Sequence, residues 1–401
     1  MNILILHAHW NNRGDEAALR AMIDEIRARI PKVNIQVQII SDIVNSFPYD
    51  DIGVITTSFG SDSPWQKKNC IDLLITYLTR GKCVRNARLH EIVTAIQNAD
   101  IIIHAPGGPS IGDTYKVYEK YYLYRLLLAK RLRKKYFFFA PSMGPFEDRF
   151  ANIVRRFVIN NCTGLCVREG ISANYLKSLN VKPKVNITLD SAFQHDINIE
   201  KNAYLLSNNP DLTGFLSKYD KIVGVTITDL MWHPTLTGKY KKQIELAFKD
   251  FINHITEIGY GVIFIPQLFD KTDDSKLMSG FKNNHCYVLP TTYDCYFQQY
   301  LISRLYAVVG MRYHSNIFSA KMGTPFISIA YEQKMKGFMK MLSKEEYCID
   351  VTKLCYQVLN DKFNMLQSNY DEYKNFLLSK KQELKTKSYK TTEILIQAID
   401  Q

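Results

Sequence analysis

Short apolar runs rich in Ile, Val and Phe alternate along this chain with longer stretches in which apolar residues recur every three or four positions. Runs of the first kind are typical of strands buried on both faces, and stretches of the second kind are typical of the helices that cover them. The alternation therefore predicts an α/β fold with parallel sheets.

The pattern also places the individual elements. The strands predicted in the first half are Asn2–His7, Ile35–Ile40, Ile52–Thr56, Ile101–His104, Tyr136–Ala140, Leu165–Arg168 and Asn186–Leu189. Those predicted in the second half are Ile222–Thr228, Val262–Pro266, Tyr287–Leu289, Ala307–Val309 and Pro325–Ala330. Helices are predicted between most of these strands, including a long amphipathic helix through KQIELAFKDFINHITEIG.

One polar segment divides the two series of strands. Residues 194–220 contain a proline and lack a sustained period, so they predict a linker between domains. We expect two Rossmann-like, doubly wound domains that face a cleft, over residues 1–200 and 201–350. Helices over 351–401 are expected to follow and could pack back on the first domain. Ligands of such sheets bind beyond the carboxyl ends of the strands, which points to the cleft.

Composition supports a folded protein, with 46% apolar and 22% charged residues. The start of the chain lacks the features of a secretory signal, and no apolar window is long enough to span a membrane. The eight cysteines form no CxxC pair, which favours reduced, buried thiols over a disulfide framework or a zinc site. A cytoplasmic protein is therefore expected, possible locations including the inner face of the cytoplasmic membrane.

The net charge of +12 indicates an anionic partner, although charge alone does not choose among nucleic acid, a phosphorylated substrate and an acidic membrane. Residues 115–136 interleave Tyr and Leu with Lys and Arg. A basic amphipathic helix of this kind could lie on an anionic membrane as a peripheral contact. The favoured alternative is a helix that buries its Leu face on the sheet and keeps its basic face in water.

The segment GMRYHSNIFSAKMGTPFISIAYEQK, residues 310–334, carries the strongest chemical signal. It predicts a strand that ends at Gly310, a turn, and a helix from Ser315, whose N-terminus favours an anion. In that turn Arg312 offers a planar fork for phosphate or carboxylate, and His314 can exchange protons near neutral pH. Lys334 follows the next strand at the same edge. The competing interpretation is a surface arginine, a core histidine and a solvated lysine.

A second polar loop follows the first strand, with Asn11, Asn12, Gly14, Asp15 and Glu16 at a helix start. Helix capping explains these residues in part, but the loop is also positioned to hold sugar hydroxyls. It lacks the GxGxxG pattern of a dinucleotide site.

Two histidines precede this loop. His7 and His9 would share one strand face and could hold a metal with Asp15, but no further ligand is spaced to complete the site, and no metal or other cofactor is predicted.

Two further strand ends carry candidate residues. After Ile101–His104 the glycine-rich loop APGGPSIGD, with Gly107 and Gly108, could approach a ligand closely or simply form a turn. Arg168 and Asp190 each end a strand, where they could bind an anion and orient a hydroxyl, or pair with each other as scaffold.

The series NNRGDEA, PGGPSIGD, SMGPF, VREGISANYLKSLNV with TLDSAF, and MRYHSNIFSAKMGTPFISIAYEQK resembles the polysaccharide pyruvyl transferase family, in family order from about residue 2 to 338. Only the last motif is specific by itself. Two departures stand out, since Glu169 occupies a position where Asp is usual and Pro109 interrupts a Gly-Gly-Gly-Ser pattern.

The resemblance implies a fold like that of the GT-B glycosyltransferases, with phosphoenolpyruvate as donor and a saccharide diol as acceptor. It places family motif positions on Arg168, Arg312, His314 and Lys334. We expect the donor to bind at Arg168, Arg312 and Lys334, with Tyr313 and Ser315 beside them, and catalysis to involve His314, Arg312 and Asp190. From the position of the polar and glycine-rich loops, the acceptor, expected to be a lipid-linked oligosaccharide or a precursor of capsule or exopolysaccharide, is predicted to bind at Asn12, Gly14, Asp15, Glu16, Gly107 and Gly108. In this hypothesis Arg168 closes the donor site from across the cleft.

Two rival functions remain open at this stage. A nucleotide-sugar glycosyltransferase of the same architecture would also place an Arg or Lys near a diphosphate. A non-catalytic basic protein that binds nucleic acid or membrane is less favoured, because the chain contains no recognisable DNA or RNA module and nucleic acid is not a predicted partner.

Overall fold

In the computed structural model of the protein, the chain separates into two compact units. The structure describes residues 1–41, 44, 47–57, 69–108, 110–269 and 273–400. Unit 1 comprises Met1–Asn11, Ala18–Gln194 and Lys387–Gln401, and unit 2 comprises Asn12–Ala17 and His195–Thr386. The domain boundaries predicted from sequence, 1–200, 201–350 and 351–401, stay a prediction about how the chain is organised.

Unit 1 contains a seven-stranded sheet in the order β3-β2-β1-β4-β5-β6-β7, in which every pairing is parallel. Its strands are β1 (Asn2–Ala8), β2 (Asn34–Ile39), β3 (Gly53–Thr56), β4 (Ile101–His104), β5 (Lys135–Phe138), β6 (Gly164–Val167) and β7 (Val185–Ile187). The helices are α1 (Arg13–Arg29), whose first residues belong to unit 2, α2 (Cys70–Leu78), α3 (Ala87–Asn98), α4 (Lys116–Arg131), α5 (Ala151–Asn160) and α6 (Gly170–Ser178). One apolar core packs α3 to α6 against the strands, through residues such as Ile92, Leu126, Phe138 and Ile159.

Unit 2 contains a six-stranded parallel sheet in the order β10-β9-β8-β11-β12-β13. Its strands are β8 (Ile222–Thr226), β9 (Gly261–Phe264), β10 (Cys286–Val288), β11 (Ala307–Gly310), β12 (Phe326–Ala330) and β13 (Cys348–Asp350). The helices are α7 (Ile199–Ser207), α8 (Pro210–Lys218), α9 (Lys241–Glu257), α10 (Asp274–Ser279), α11 (Cys295–Ser303), α12 (Tyr313–Met322), α13 (Gln333–Leu342), α14 (Tyr356–Ser368) and α15 (Tyr370–Asp400), whose last part belongs to unit 1. Fully buried residues such as Phe251, Ile263, Val309 and Phe326 form the core.

The predicted α/β class with parallel sheets is confirmed, and each predicted strand matches an observed one within a few residues. Short 3₁₀ turns at Asp113–Tyr115, Ser191–Phe193, Glu345–Tyr347 and Val351–Lys353 join some of the elements. Strand β13 was not predicted, because Ile349 is its only buried residue and no apolar run marks it.

The interpretation of residues 194–220 as an irregular linker is wrong in its local structure, because α7 and α8 lie there. The side chain of Asn198 caps α7 by accepting from the Lys201 N–H at 2.9 Å, and Asn209 caps α8 in the same way. The proline that suggested a linker, Pro210, occupies the first position of α8, where its missing N–H costs no helix bond.

In the basic stretch 115–136 the Leu face is buried on the sheet, as the favoured alternative expected. Helix α4 buries Leu123, Leu126 and Leu128 in the core of unit 1, so its Leu face is not available to a membrane. The helix ends at Arg131, and β5 begins at Lys135. In the described part of the chain, no helix combines the length and apolarity needed to cross a membrane.

Candidate active site

The carboxyl edge of the unit 2 sheet holds the residues that the sequence singled out most strongly. Strand β11 ends at Gly310, and α12 begins at Tyr313, so Tyr313 and His314 form the first turn of the helix. The predicted helix start at Ser315 was wrong by two residues. The Ser315 hydroxyl is instead fully buried, lies 2.9 Å from Thr226 Oγ1 and donates to the Arg312 carbonyl at 2.6 Å. Since that hydroxyl is engaged in holding the turn, a donor-binding role for it stays only a prediction.

Thr226, the last residue of β8, fixes the path of the chain after β11. Its Oγ1 accepts from the Met311 N–H at 3.0 Å and from the Arg312 N–H at 3.2 Å. Gly310 is needed for the close packing here, because a Cβ at this position would lie 1.9 Å from Asn316 Oδ1. The turn is therefore held by the neighbouring strand and by the helix it introduces.

Arg312 lies in this turn and is 4% exposed. Its guanidinium binds both carboxylate oxygens of Asp274, with Nε donating to Oδ2 at 3.1 Å and Nη2 donating to Oδ1. The Trp232 ring lies 5.2 Å from the guanidinium carbon. Burial opposes the charge of Arg312, but the Asp274 carboxylate and Tyr331 outweigh it, and the pKa of Arg312 is raised. Burial also raises the pKa of the Tyr331 phenol.

Asp274 is the partner that the sequence did not reveal. It lies at the start of α10, and its Oδ2 accepts from the Gln267 N–H at 3.2 Å and from the Leu268 N–H at 3.0 Å. In the sequence, Asp274 appears only as part of an acidic pair, Asp273-Asp274, which helix capping would explain. Arg312 is thus a tightly held cation whose fork already binds a carboxylate, rather than the open anion fork of the prediction.

His314 is 5% exposed and packs against Gly14 in the first turn of α1. Gly14 lies so close to the imidazole that a Cβ on it would fall 1.9 Å from His314 Nδ1 and 2.0 Å from Cγ. The Tyr313 ring lies edge-on at 5.0 Å from the imidazole. Because Gly14 forms one wall of the histidine site, its lack of a side chain has a structural purpose.

The segment predicted as a polar loop, which carries Gly14 and forms the first turn of α1, belongs to unit 2 through its own contacts. The Arg13 N–H donates to the Gln267 carbonyl at 2.8 Å, the Arg13 Nη2 donates to the Thr291 carbonyl at 2.6 Å, and the Phe269 ring lies 3.9 Å from the guanidinium carbon. Arg13 was not among the predicted site residues, although it lies within the quoted motif NNRGDEA between Asn12 and Gly14. The structure therefore brings Asn12, Gly14, Asp15 and Glu16 into the same unit as His314.

The predicted acceptor residues in this loop differ in their engagement. Asn12 Oδ1 accepts from the Gly14 N–H at 2.8 Å, and Glu16, which is buried, accepts from Arg13 at 2.6 Å. Asp15 is half-buried, and its carboxylate makes no hydrogen bond to any residue that the structure describes. Asp15 is therefore the member of the loop whose carboxylate is most available to a ligand.

Lys334 lies in the first turn of α13, just beyond β12. Its Nζ forms a salt bridge of 2.6 Å with Glu332 and lies 5.7 Å from the centre of the Tyr313 ring. His233 Nε2 lies 3.2 Å from the other Glu332 oxygen. This edge thus carries two cations, two imidazoles and two carboxylates. The sequence analysis did not predict Glu332 or His233, although each follows an aromatic residue in the sequence.

Unit 1 holds the other predicted residues at the carboxyl edge of its own sheet. Arg168 and Asp190 are both buried and form a salt bridge of 2.7 Å, and Arg168 Nε donates to Ser142 Oγ at 2.9 Å. The Ser142 N–H donates to the carbonyl of Gly107 at 2.9 Å. The pair that was weighed as a scaffold alternative is therefore formed, and it is tied to the glycine-rich loop.

Glu169, which departs from the family pattern, is the N-cap of α6. Its carboxylate accepts from the Ser172 N–H at 2.7 Å and from the Ser172 hydroxyl. The longer side chain thus still performs the capping that an Asp would perform. In the glycine-rich loop, Gly108 is half-buried, and Pro109 lies outside the described residues.

The metal alternative finds no geometric support where the structure describes the chain. His7 has a positive φ of 68°, and the pairing of β1 with β2 shifts register between Ile5 and Ala8, so the alternation that would align it with His9 is broken. The ring of His7 instead packs 4.7 Å from that of His104, and burial lowers its pKa well below the usual value. Among the described residues, no group of three or more His, Cys, Asp and Glu side chains is arranged to hold a metal ion.

Comparison with solved structures agrees with the fold. A glucosyltransferase that acts on anthocyanidin, solved with UDP, matches with a TM-score of 0.59 at 13% identity, covering 100% of this chain and 98% of that one. The UDP-GlcNAc 2-epimerase of Neisseria meningitidis matches with a TM-score of 0.55 at 11% identity, covering 99% and 100%. At these identities the likeness concerns the fold alone, and it confirms the GT-B-like class of two parallel-sheet α/β domains.

Sequence comparisons identify the family. The amylovoran biosynthesis protein AmsJ of Erwinia amylovora is 25% identical over 398 residues, which cover 93% of each chain. The profile of the polysaccharide pyruvyl transferase family matches residues 12–333, a span that includes Gly14, Arg168, Asp274 and His314. The resemblance found in the sequence motifs is thereby confirmed, and the chain belongs to the polysaccharide pyruvyl transferase family.

Proposed function

We propose that this enzyme transfers the pyruvyl group of phosphoenolpyruvate onto two hydroxyls of one sugar, forming a cyclic ketal and releasing phosphate. The observation that carries the proposal is the start of α12, where the buried imidazole of His314 follows Tyr313 in the first turn. The Lys334 ammonium lies beside the Tyr313 ring. Membership of the pyruvyl transferase family supports the reaction class.

The charges at this edge suit an anion more strongly charged than a carboxylate. Phosphoenolpyruvate carries about three negative charges near neutral pH, and a lysine beside a helix N-terminus favours such a ligand. Lys334 is 13% exposed at its side chain and is held by one carboxylate, Glu332. A phosphate would compete with Glu332 for it. Arg312, bound on both carboxylate oxygens by Asp274, is proposed to hold the turn and contribute its positive field rather than release its partner.

The reaction needs two proton movements, and His314 is proposed to carry them. The first sugar hydroxyl adds to C2 while a proton reaches the methylene carbon, which becomes the methyl group. The C2–O bond to phosphate then breaks, and phosphate leaves with the electron pair. The second hydroxyl attacks the oxocarbenium-like C2, so that one hydroxyl proton ends on the methyl carbon and the other on phosphate. A positioned imidazole is suited to both transfers.

Donor binding by Arg168, which the family pattern implies, and the catalytic role of Asp190 in orienting a cation or hydroxyl, which its strand-end position suggested, stay predictions. Both side chains are engaged with each other in unit 1. If the two residues take part in the reaction, they must do so while bound to each other, with the Asp190 carboxylate orienting the Arg168 guanidinium.

For the acceptor, we propose a sugar of a lipid-linked oligosaccharide or of another precursor of exopolysaccharide or capsule, handled in the cytoplasm at the inner membrane face. The name of the relative AmsJ, an amylovoran biosynthesis protein, supports a polysaccharide pathway. Asp15 is proposed to accept from a sugar hydroxyl, because it is half-buried and directly follows Gly14, which contacts His314. The acceptor roles of Asn12, Glu16, Gly107 and Gly108 stay predictions.

A nucleotide-sugar glycosyltransferase is the second candidate, favoured only by fold neighbours that were solved with UDP. It would use the same helix N-terminus for a diphosphate.

The deciding experiment incubates the purified protein with phosphoenolpyruvate and a panel of galactosides, mannosides and N-acetylmannosamine glycosides. Phosphate release that depends on one acceptor, with a product heavier by one ketal-linked pyruvyl group, is expected. Sugar transfer from a nucleotide sugar, with no phosphate release from phosphoenolpyruvate across the panel, would contradict the proposal.

A further inference from the structure

A basic groove of about 580 Å³ lies on unit 1 at the edge where β5 begins. The cations that line it are Arg80, Lys130, Arg131, Arg133, Lys134 and Lys135. No described lining residue is acidic, and no described carboxylate forms a salt bridge with any of these six side chains. The groove is therefore a strongly positive surface whose charges are not neutralised by carboxylates in its described lining.

Helix C-termini explain a part of this charge. Arg80 follows α2, and Lys130 and Arg131 end α4, where cations favour the negative end of the helix dipole. Arg131 donates weakly to the Tyr77 carbonyl at 3.4 Å, and Lys134 donates to the Ala99 carbonyl at 2.8 Å. Arg133 and Lys135 are exposed and have no such bond among the described residues. Capping thus accounts for individual side chains but not for six cations around one groove.

Two helices beside the groove present apolar stripes to solvent. On α5 and the residue before it, Phe150, Ile153, Val154 and Phe157 follow a spacing of three, four and seven residues and are 38% to 86% exposed. On α2, Ile71, Leu74 and Leu78 repeat that spacing and are 57% to 67% exposed. Such spacing places each set on one helix face, and in a soluble domain that face is normally the buried one.

The groove and the stripes are continuous. Phe157 belongs to the α5 stripe and also lines the groove. Tyr77 lines the groove one residue before Leu78, and the Leu78 carbonyl lies 3.5 Å from Arg131 Nη2. The apolar side chains and the cations are thus parts of one surface.

We propose that this surface of unit 1 docks the enzyme on an anionic phospholipid bilayer, with the six cations on lipid phosphates and the two stripes in the interfacial layer. Helices of 9 and 10 residues are roughly 15 Å long, too short to cross a hydrocarbon core of about 30 Å but suited to lying in its interface.

Other occupants fit the surface less well. A second copy of the chain would bring two sets of six cations together, which costs electrostatic energy. A nucleic acid would satisfy the cations and could stack on Tyr77 or Phe157, but it offers nothing to Ile71, Leu74, Ile153 and Val154. The inference uses charge and exposure alone, so it stands or falls independently of the proposed pyruvyl transfer.

The test is flotation of the full-length protein with vesicles of phosphatidylcholine alone or mixed with phosphatidylglycerol. Binding only to the anionic vesicles, weakened by salt, is expected. Arg133→Gln with Lys135→Gln should weaken partitioning by about fivefold for each charge removed. The matched control, Lys239→Gln with Lys242→Gln, removes two exposed lysines from unit 2 and should leave partitioning unchanged.

A second pair of variants tests the stripes. Ile153→Ser with Phe157→Ser should reduce partitioning at every salt concentration, whereas Leu246→Ser with Ile258→Ser, which alters exposed apolar residues of unit 2, should not. Unchanged melting temperatures verify folding. Equal binding to neutral vesicles, or equal effects of test and control variants, would overturn the proposal. The proposal would also be overturned if an oligonucleotide displaced the protein from the vesicles and the Ser variants bound the vesicles fully.

Discussion

The junctions β6–α6 in unit 1 and β11–α12 in unit 2 are built from the same parts: a buried strand, an arginine after it, and a helix. In both, the arginine is buried and forms a salt bridge with an aspartate, Asp190 in unit 1 and Asp274 in unit 2. They differ at the helix N-terminus. Glu169 caps α6 with its carboxylate, whereas Arg312 at the N-cap of α12 makes no side-chain capping bond.

This difference indicates which junction suits an anion. A carboxylate cap satisfies N–H groups and offsets the positive end of the helix dipole, so a second anion gains little there. At α12 the cap position carries a cation, and Lys334 and His314 lie beside it. A strand-arginine-helix pattern is therefore not sufficient for an anion site. The residue at the N-cap determines which of the two junctions favours an anion.

The largest effect is expected from His314→Ala. Loss of a positioned proton-transfer group should lower acceptor-dependent phosphate release by roughly 10²–10⁴-fold. The control is His285→Ala, which removes an exposed histidine of the same unit. Turnover close to that of the control would remove His314 from the mechanism.

The Arg168–Asp190 pair can be separated into its structural and functional parts. Asp190→Ala removes the carboxylate partner of a buried guanidinium and should destabilise unit 1 by about 3–5 kcal/mol, whereas Arg168→Met with Asp190→Leu leaves no buried charge at the pair and should fold with a smaller loss of stability. If the family-implied role of Arg168 is right, the double variant folds but loses phosphate release. Denaturant unfolding and turnover measured on the same samples decide this, and a fully active double variant would make the pair a scaffold.

Gly14→Ala tests the wall of the histidine site. Its Cβ would meet the imidazole at 1.9 Å, so His314 must move, and a displacement of that size is expected to lower kcat on the order of 10²-fold. The matched control is Gly214→Ala, where a Cβ meets nothing within 4 Å and helix α8 should gain stability. Equal kcat in the two variants would show that Gly14 does not position His314.

The smallest effect concerns the helix cap. Glu169→Asp restores the residue usual in the family and should change the free energy of unfolding by less than about 1 kcal/mol, since either carboxylate can accept from the Ser172 N–H. Glu169→Gln keeps the hydrogen bond but removes the charge, and it should make α6 more favourable for anions. A gain in phosphate affinity in the Gln variant but not the Asp variant, measured by calorimetry, would sharpen the contrast; equal affinity would contradict it.

The sequence was sufficient for the strands and for the edge that carries the site, because apolar period and strand-end position are local properties. It placed Arg312, His314 and Lys334 at one edge for that reason. It could not reveal the Arg312–Asp274 bond, which joins residues 38 positions apart, or the contact between Gly14 and His314, which are far apart in the sequence. Nor could it reveal α7 and α8, because the Asn residues that cap them and Pro210 are also residue types typical of a linker.

The most direct test of the central claim, that the α12 edge binds phosphoenolpyruvate, is a thermal-shift titration of the wild-type protein and of Lys334→Ala with phosphoenolpyruvate and with a UDP-sugar. A ligand that binds only the folded protein stabilises it by about 2.7 kcal/mol at one hundred times its Kd. We predict that phosphoenolpyruvate raises the Tm of the wild-type protein by a few degrees, that this shift is lost in Lys334→Ala, and that the UDP-sugar has no effect. Stabilisation by the UDP-sugar alone, or an undiminished shift in Lys334→Ala, would contradict the account.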